Sequence, residues 1–200
     1  MRKTFLGCRL LAVFLGATSI GQRELALEAM RQPDPGSAPG HVRSTDRRLR
    51  AALLDGLERS SSLREINAAL NAAAVIVSLE EGSCRGALAC TMIIKLPRQV
   101  QTRLLRINFV FYLDGDSTPL WRDRNRLIAT IAHELQHALE ISDDPQVVDE
   151  ATLARLFQRI GWWRVGDGVA FETAAALMTQ RTVLSELSTS TIAAEDRSRR

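Results

Sequence analysis

No stretch of this 200-residue chain stays apolar for the ~18–20 residues a membrane-spanning helix requires, so no span is expected. A lasting surplus of basic charge is also missing. The formal charge is +3, but Arg2, Lys3 and Arg9 supply all of it, because the first 21 residues hold no acid. A nucleic-acid binder keeps a basic stripe; here only a short C-terminal cluster is left, which argues against nucleic acid as a partner. Histidine and cysteine are scarce, three of each. No internal repeat is found. With 46% apolar and 24% charged residues, the chain is neither wholly disordered nor a coiled coil. Its length suits one ordinary domain with a sizeable core, or two very small ones.

Residues 1–21 read as a secretory signal peptide. Arg2, Lys3 and Arg9 form a positive start, Leu10–Ile20 is apolar, and Ser19 and Gly21 place small side chains at the −3 and −1 positions of a cleavage site. The alternative is an N-terminal helix with one apolar face. Removal of this segment takes Cys8 with it and leaves Cys84 and Cys90, which in an exported chain read as a disulfide closing a small loop. Such a short loop contributes roughly 2–3 kcal/mol, so the bridge pins local shape; two buried free thiols are the other reading. The expected location is therefore secreted or periplasmic.

Residues 22–46 are expected to be a mobile arm or linker, since Arg31–Asp46 is rich in proline, glycine and serine, with His41 solvated within it. A metal-binding domain is expected over 47–187, followed by a polar tail over 188–200. Arg47–Leu57 and Leu63–Leu70 have helical spacing, with Ser60–Ser62 supplying a cap between them. Ala73–Leu79, Ala89–Leu96 and Leu104–Leu113 read as strands, the last with apolar side chains at every second position, and Asp114–Pro119 reads as a turn. Helices are expected over Arg124–Ile141, Pro145–Ile160 and Val169–Leu187. Strands first and helices afterwards is the α+β pattern.

The chemistry is concentrated in His133-Glu134-Leu135-Gln136-His137. Four residues on a helix turn through about 400°, so both imidazoles share one face, one turn apart, and reach a single Zn²⁺ at ~2.0–2.1 Å. Glu134 is placed to hold a water beside the ion. Ile128, Ile131, Leu135, Ala138 and Leu139 form the opposite, core-facing stripe.

This motif helix, Leu127–Leu139, resembles the active-site helix of the zincin metallopeptidases. The resemblance implies a zincin-like α+β fold: a small, mainly antiparallel sheet followed by a helical half that carries the motif. It also implies one zinc ion, a peptide or protein substrate, and Glu134 as general base. Catalytic zinc usually takes three protein ligands. The metzincin extension with a third histidine is absent, its positions holding Glu140 and Asp143, so the third ligand is expected to be a carboxylate from elsewhere. Glu172 is the first choice: it is a lone acid in an alanine-rich stretch, where an unpaired carboxylate is costly to bury. It is similar to the downstream glutamate of the gluzincins. Those proteins often place an aspartate four positions later to orient the first histidine; Ala176 stands there instead. Glu140, Asp143, Asp149 and Glu150 are the competing acids.

Other roles follow from position. Arg164 is a candidate donor to a developing oxyanion or an ordinary surface charge, and Tyr112 lies early in the chain for that task. The Leu104–Leu113 strand is either an edge for an extended peptide or a core strand. Trp162-Trp163 either walls a pocket or caps a helical core. The function expected is an exported zinc-dependent peptidase-like hydrolase; the alternatives are a binding or scaffold domain that retains the metal, and an interaction protein that binds none.

Overall fold

Helices and strands are mixed in an α+β arrangement from Val42 onward in the computed structural model, which describes residues 40–84, 87–94, 102–112, 121–165 and 169–198. The side chains of residues 163–165, 169–170 and 191–198 are outside that description. The expected signal peptide, the turn at 114–119 and most of the expected arm lie outside it as well.

Strand β1, Val42–Ser44, is followed by helices α1, Arg47–Arg59, and α2, Ser61–Ala72. Asp46 caps α1 by accepting the Arg48 and Leu49 amides. Leu49, Ala52, Leu53 and Gly56 give α1 its buried face. Ser60 ends α1 and caps α2 through Leu63 N–H. The expected linker therefore stops short of β1. His41 is not simply solvated: its amide donates to Asn71 Oδ1 at 2.7 Å and its Nδ1 lies 3.1 Å from Leu70 O.

Strands β2, Val75–Glu81, β3, Ala89–Ile94, and β4, Arg103–Phe109, complete a four-stranded sheet in the order β1-β2-β4-β3. The expectation of a mainly antiparallel sheet is corrected. β1 and β2 run parallel, as do β2 and β4, and only β3 against β4 is antiparallel. The α1–α2 pair provides the crossover a parallel β1–β2 connection needs, and the excursion through β3 brings β4 back beside β2. Alternation along a strand encodes which face is buried, not the direction of its neighbour. β4 is interior, with Leu105, Ile107 and Phe109 fully buried, so the edge expected at Leu104–Leu113 passes to β3.

Helix α3, Arg124–Asp143, starts at the Asp123 cap. It packs on α1, α2 and β3. Gly56 permits that approach: a Cβ there would lie 2.5 Å from Ile128 Cγ2 and from Leu63 Cδ2. Arg103, at the start of β4, holds the far end of α3 by donating to the carbonyls of Ile141, Ser142 and Asp144. Helix α4, Glu150–Ile160, begins later than expected. Asp149 and Thr152 form a reciprocal capping box that sets the boundary after Pro145.

The largest departure follows. Trp162–Val165 and Val169–Glu172 form an antiparallel pair, β5 and β6, and helix α5 runs Ala174–Ser198. Val169–Glu172 is thus strand, not the start of a helix. Aromatic and β-branched residues on both sides of Gly166-Asp167-Gly168 are a hairpin signature that outweighs the helical spacing. The described residues of the expected polar tail, 188–198, continue α5. Glu186 anchors this helix across the α1–α2 corner by accepting from the hydroxyls of Ser60, Ser61 and Ser62 at 2.5, 2.7 and 2.9 Å.

Candidate metal centre

The apolar stripe that buries α3 fixes the opposite face of the same helix. Ile128, Ile131, Leu135 and Ala138 are fully buried, and His133, Glu134 and His137 project where the helix meets β3 and the β5–β6 hairpin. Their exposures are only 9%, 6% and 5%. The two rings stand edge to face, with centroids 4.8 Å apart.

Glu172 arrives as the last residue of β6. Its Oε1 lies 3.2 Å from His133 Nε2 and 3.7 Å from His137 Nε2, and no two atoms of the donor set are more than 4.8 Å apart. Tetrahedral ligands bonded to zinc at ~2.0–2.1 Å stand about 3.3 Å from one another. The set therefore has the spacing that a metal ion draws together with small adjustments. Among the described residues this is the one such group. Glu140 does not join it, Asp143 is exposed at the end of α3, Asp149 caps α4, and Glu150 lies in the first turn of that helix.

Gly161 makes the approach of Glu172 possible. A Cβ at Gly161 would sit 2.5 Å from the carbonyl oxygen of Glu172 and 3.0 Å from that of Phe157. The β5–β6 hairpin can fold onto the end of α4 because this residue has no side chain. Phe157 of α4 then closes one side of the site, edge-on to His137 at 5.1 Å and stacked with Phe171 at 6.1 Å.

Three contacts around the donor set were not legible in the sequence. Thr91 of β3 donates its hydroxyl to Glu134 Oε2 at 2.8 Å. Glu140 Oε2 lies 2.9 Å from His137 Nδ1. Thr173 donates to Glu140 Oε1 at 2.7 Å. Thr91 lies 43 positions from Glu134 and Thr173 lies 33 from Glu140, so no local spacing pairs them, although Thr173 directly follows Glu172. Glu140, on the histidine face, lies against a ring nitrogen and is not one of the grouped donors. His133 Nδ1, by contrast, is buried and has no hydrogen-bond partner among the described residues.

The electrostatics follow from crowding. Burial opposes charge on His137, but hydrogen bonds to Glu140 and Glu172 outweigh it and raise the pKa to about 9. Burial likewise opposes charge on Glu172, and the two imidazoles overcome it, lowering the pKa to about 2. In this cluster three carboxyl groups, those of Glu134, Glu140 and Glu172, are gathered around two imidazoles. A divalent cation suits it in charge, in donor type and in size.

The Cys84–Cys90 disulfide is formed, with Cα atoms 5.8 Å apart, and Cys90 directly precedes Thr91 in β3. Tyr112 is 44% exposed. Trp162 is 44% exposed as well, and the side chains of Trp163 and Arg164 lie outside the described residues. No helix among the described residues is long and apolar enough to cross a membrane. Compared with family models, curated proteins and solved structures, the chain matches none.

Proposed function

We propose that this chain is an exported, zinc-dependent, peptidase-like hydrolase of the gluzincin kind, acting on a peptide or amide carbonyl. One observation carries the reading: His133, His137 and Glu172 converge on a shared point while Glu134, between the histidines in sequence, is held beside it by a hydroxyl from an edge strand. The disulfide supports export.

When bound, zinc supplies Lewis acidity that polarises a carbonyl and acidifies a water. The protein's part is positional and protonic. His133 and His137 would hold the ion through their Nε2 atoms and Glu172 through Oε1. Thr91 engages Glu134 at Oε2, which leaves Oε1 to take a proton from water and pass it to the leaving amine. Arg164 stays the candidate donor to the oxyanion, on its sequence position alone.

Glu134→Gln tests the reading, because it keeps the shape and removes the base. Zinc content measured by elemental analysis should stay at one ion per chain, while hydrolysis of a peptide library falls by about 10²–10⁴-fold. Unchanged turnover would remove the general base from the scheme. Bound zinc with no turnover even in the unaltered chain would favour the scaffold reading.

A further inference from the structure

The two histidines are held differently, and the difference points to a second set of working residues. We propose that Glu140 and Thr173 are positioning residues that lock the His137 ring and the Glu172 strand into one unit, so that metal affinity depends on a threonine hydroxyl that never touches the metal. The inference rests on His133, His137 and Glu172 being ligands.

Proton accounting sets the direction of every bond in the relay. Ionised Glu140 can only accept. Thr173 has one hydroxyl proton and gives it to Glu140 Oε1 at 2.7 Å. The same Thr173 oxygen then accepts from the Ala176 amide at 3.1 Å, which caps the start of α5. Glu140 Oε2, 2.9 Å from His137 Nδ1, fixes a proton on that nitrogen. In the neutral ring this leaves the Nε2 lone pair facing Glu172, the tautomer a metal ligand needs. The Thr173 amide meanwhile donates to Glu172 Oε1 at 3.2 Å. Thr173 therefore steers both donors at once, the carboxylate through its backbone and the imidazole through its side chain.

Burial makes the relay more than a surface contact. The side chains of His137 and Glu140 are only 7% and 11% exposed, and Thr173 is 2% exposed. A hydrogen bond in such surroundings is not readily replaced by water. His133 provides an internal contrast: among the described residues its buried Nδ1 has no partner, and only its Nε2, 3.2 Å from Glu172 Oε1, is held. The Nδ1 side of the ring is thus fixed by a carboxylate at His137 and left to packing at His133.

The test measures zinc affinity of the full chain by competition with a chromophoric chelator. Glu140→Gln should weaken binding by about 10–100-fold. Thr173→Val removes both donor and cap, whereas Thr173→Ser keeps both and should bind as the unaltered chain does. Thr173→Asp separates the two roles: it preserves a capping oxygen but sets a carboxylate against Glu140, so affinity should fall while circular dichroism shows the helices intact. Near-native affinity in Glu140→Gln and Thr173→Asp would overturn the proposal. Nitrogen-15 histidine spectra of the unaltered, zinc-loaded chain give a check that needs no variant: the proton should sit on His137 Nδ1 and zinc on Nε2, and the reverse assignment overturns the relay. A separate control, His133→Ala, reports on the ligand set itself. If that variant keeps full affinity, or the unaltered chain binds no zinc, the metal centre fails first and the relay with it.

Discussion

The candidate centre is assembled from a helix and a hairpin that are built in opposite ways. Helix α3 supplies His133, Glu134 and His137 from five consecutive residues, placed by the helical period and by one buried stripe. The β5–β6 hairpin supplies Glu172 alone, placed by strand register, by a glycine contact with α4, and by a threonine at the start of α5. The helical half is robust because a ligand cannot move without unwinding a turn buried on its other side. The hairpin half depends instead on its own strand pairing and on the close approach of its backbone to Gly161. A donor set that joins the two should be as sound as its weaker partner.

Removing the hairpin's ligand is the strongest way to break that comparison. Glu172→Gln leaves α3 and both imidazoles in place yet replaces a charged donor with a neutral amide. Sharing the ~10–16 kcal/mol typical of structural zinc binding across its ligands gives a loss of roughly 10²–10³-fold in affinity. Titration with zinc in a calorimeter measures it. An undiminished affinity would mean that another acid completes the set and that the hairpin is only a wall.

Gly161→Ala asks the subtler question of position. The added Cβ would meet the Glu172 carbonyl at 2.5 Å, a distance that backbone must yield to, and the hairpin is the part free to yield. The expected result is a loss of zinc affinity of about tenfold, at the low end of what disturbed support around a metal site costs, with α-helical circular dichroism preserved. An alanine placed instead at Leu54, which is 58% exposed on α1, should leave affinity unchanged.

The same contrast explains what could be read before any coordinates. Helix α3 was legible to within two residues at its end, because Asp123 caps it, the apolar stripe runs its length and Asp143-Asp144-Pro145 stops it. The hairpin was misread. Val169–Leu187 contains apolar spacing compatible with a helix, and that spacing hides the strand formed by its first four residues, which pair with Trp162–Val165. Glu172 is a candidate on sequence grounds all the same, since the cost of burying an unpaired acid does not depend on whether the backbone is strand or helix. Sheet direction was not legible for a different reason. β1 has only three residues, too few for a period, and in sequence it follows a proline-rich stretch. Thr91 and Thr173 reach the site only through tertiary folding, and a threonine in a strand or before a helix carries no chemical signal of its own.

The mildest probe uses protons to weigh the two halves against each other in the metal-free chain. His137 belongs to the helix and is raised from 6.5 to about 9; Glu172 belongs to the hairpin and is lowered from 4.5 to about 2. Both shifts report in part the same contact, so they are not added. The raised histidine contributes stability that is fully present below pH 6.5 and lost as pH climbs through about 9. The depressed carboxylate contributes stability that is present above pH 4.5 and lost as pH falls through about 2. Chelator-treated protein should therefore melt highest, as far as this cluster decides, between pH 4.5 and 6.5, and lose a few degrees on the way to pH 9. Zinc takes the place of the His137 proton, so the loaded chain should not show that alkaline decline. Glu172→Gln removes one of the three carboxylates that hold the proton and should shrink the decline, while the part due to Glu140 and Glu134 persists. Thermal melts across this range, with and without zinc, measure how much of the coupling the hairpin provides. An equal decline in the unaltered and Glu172→Gln chains would assign the proton's hold to α3 alone.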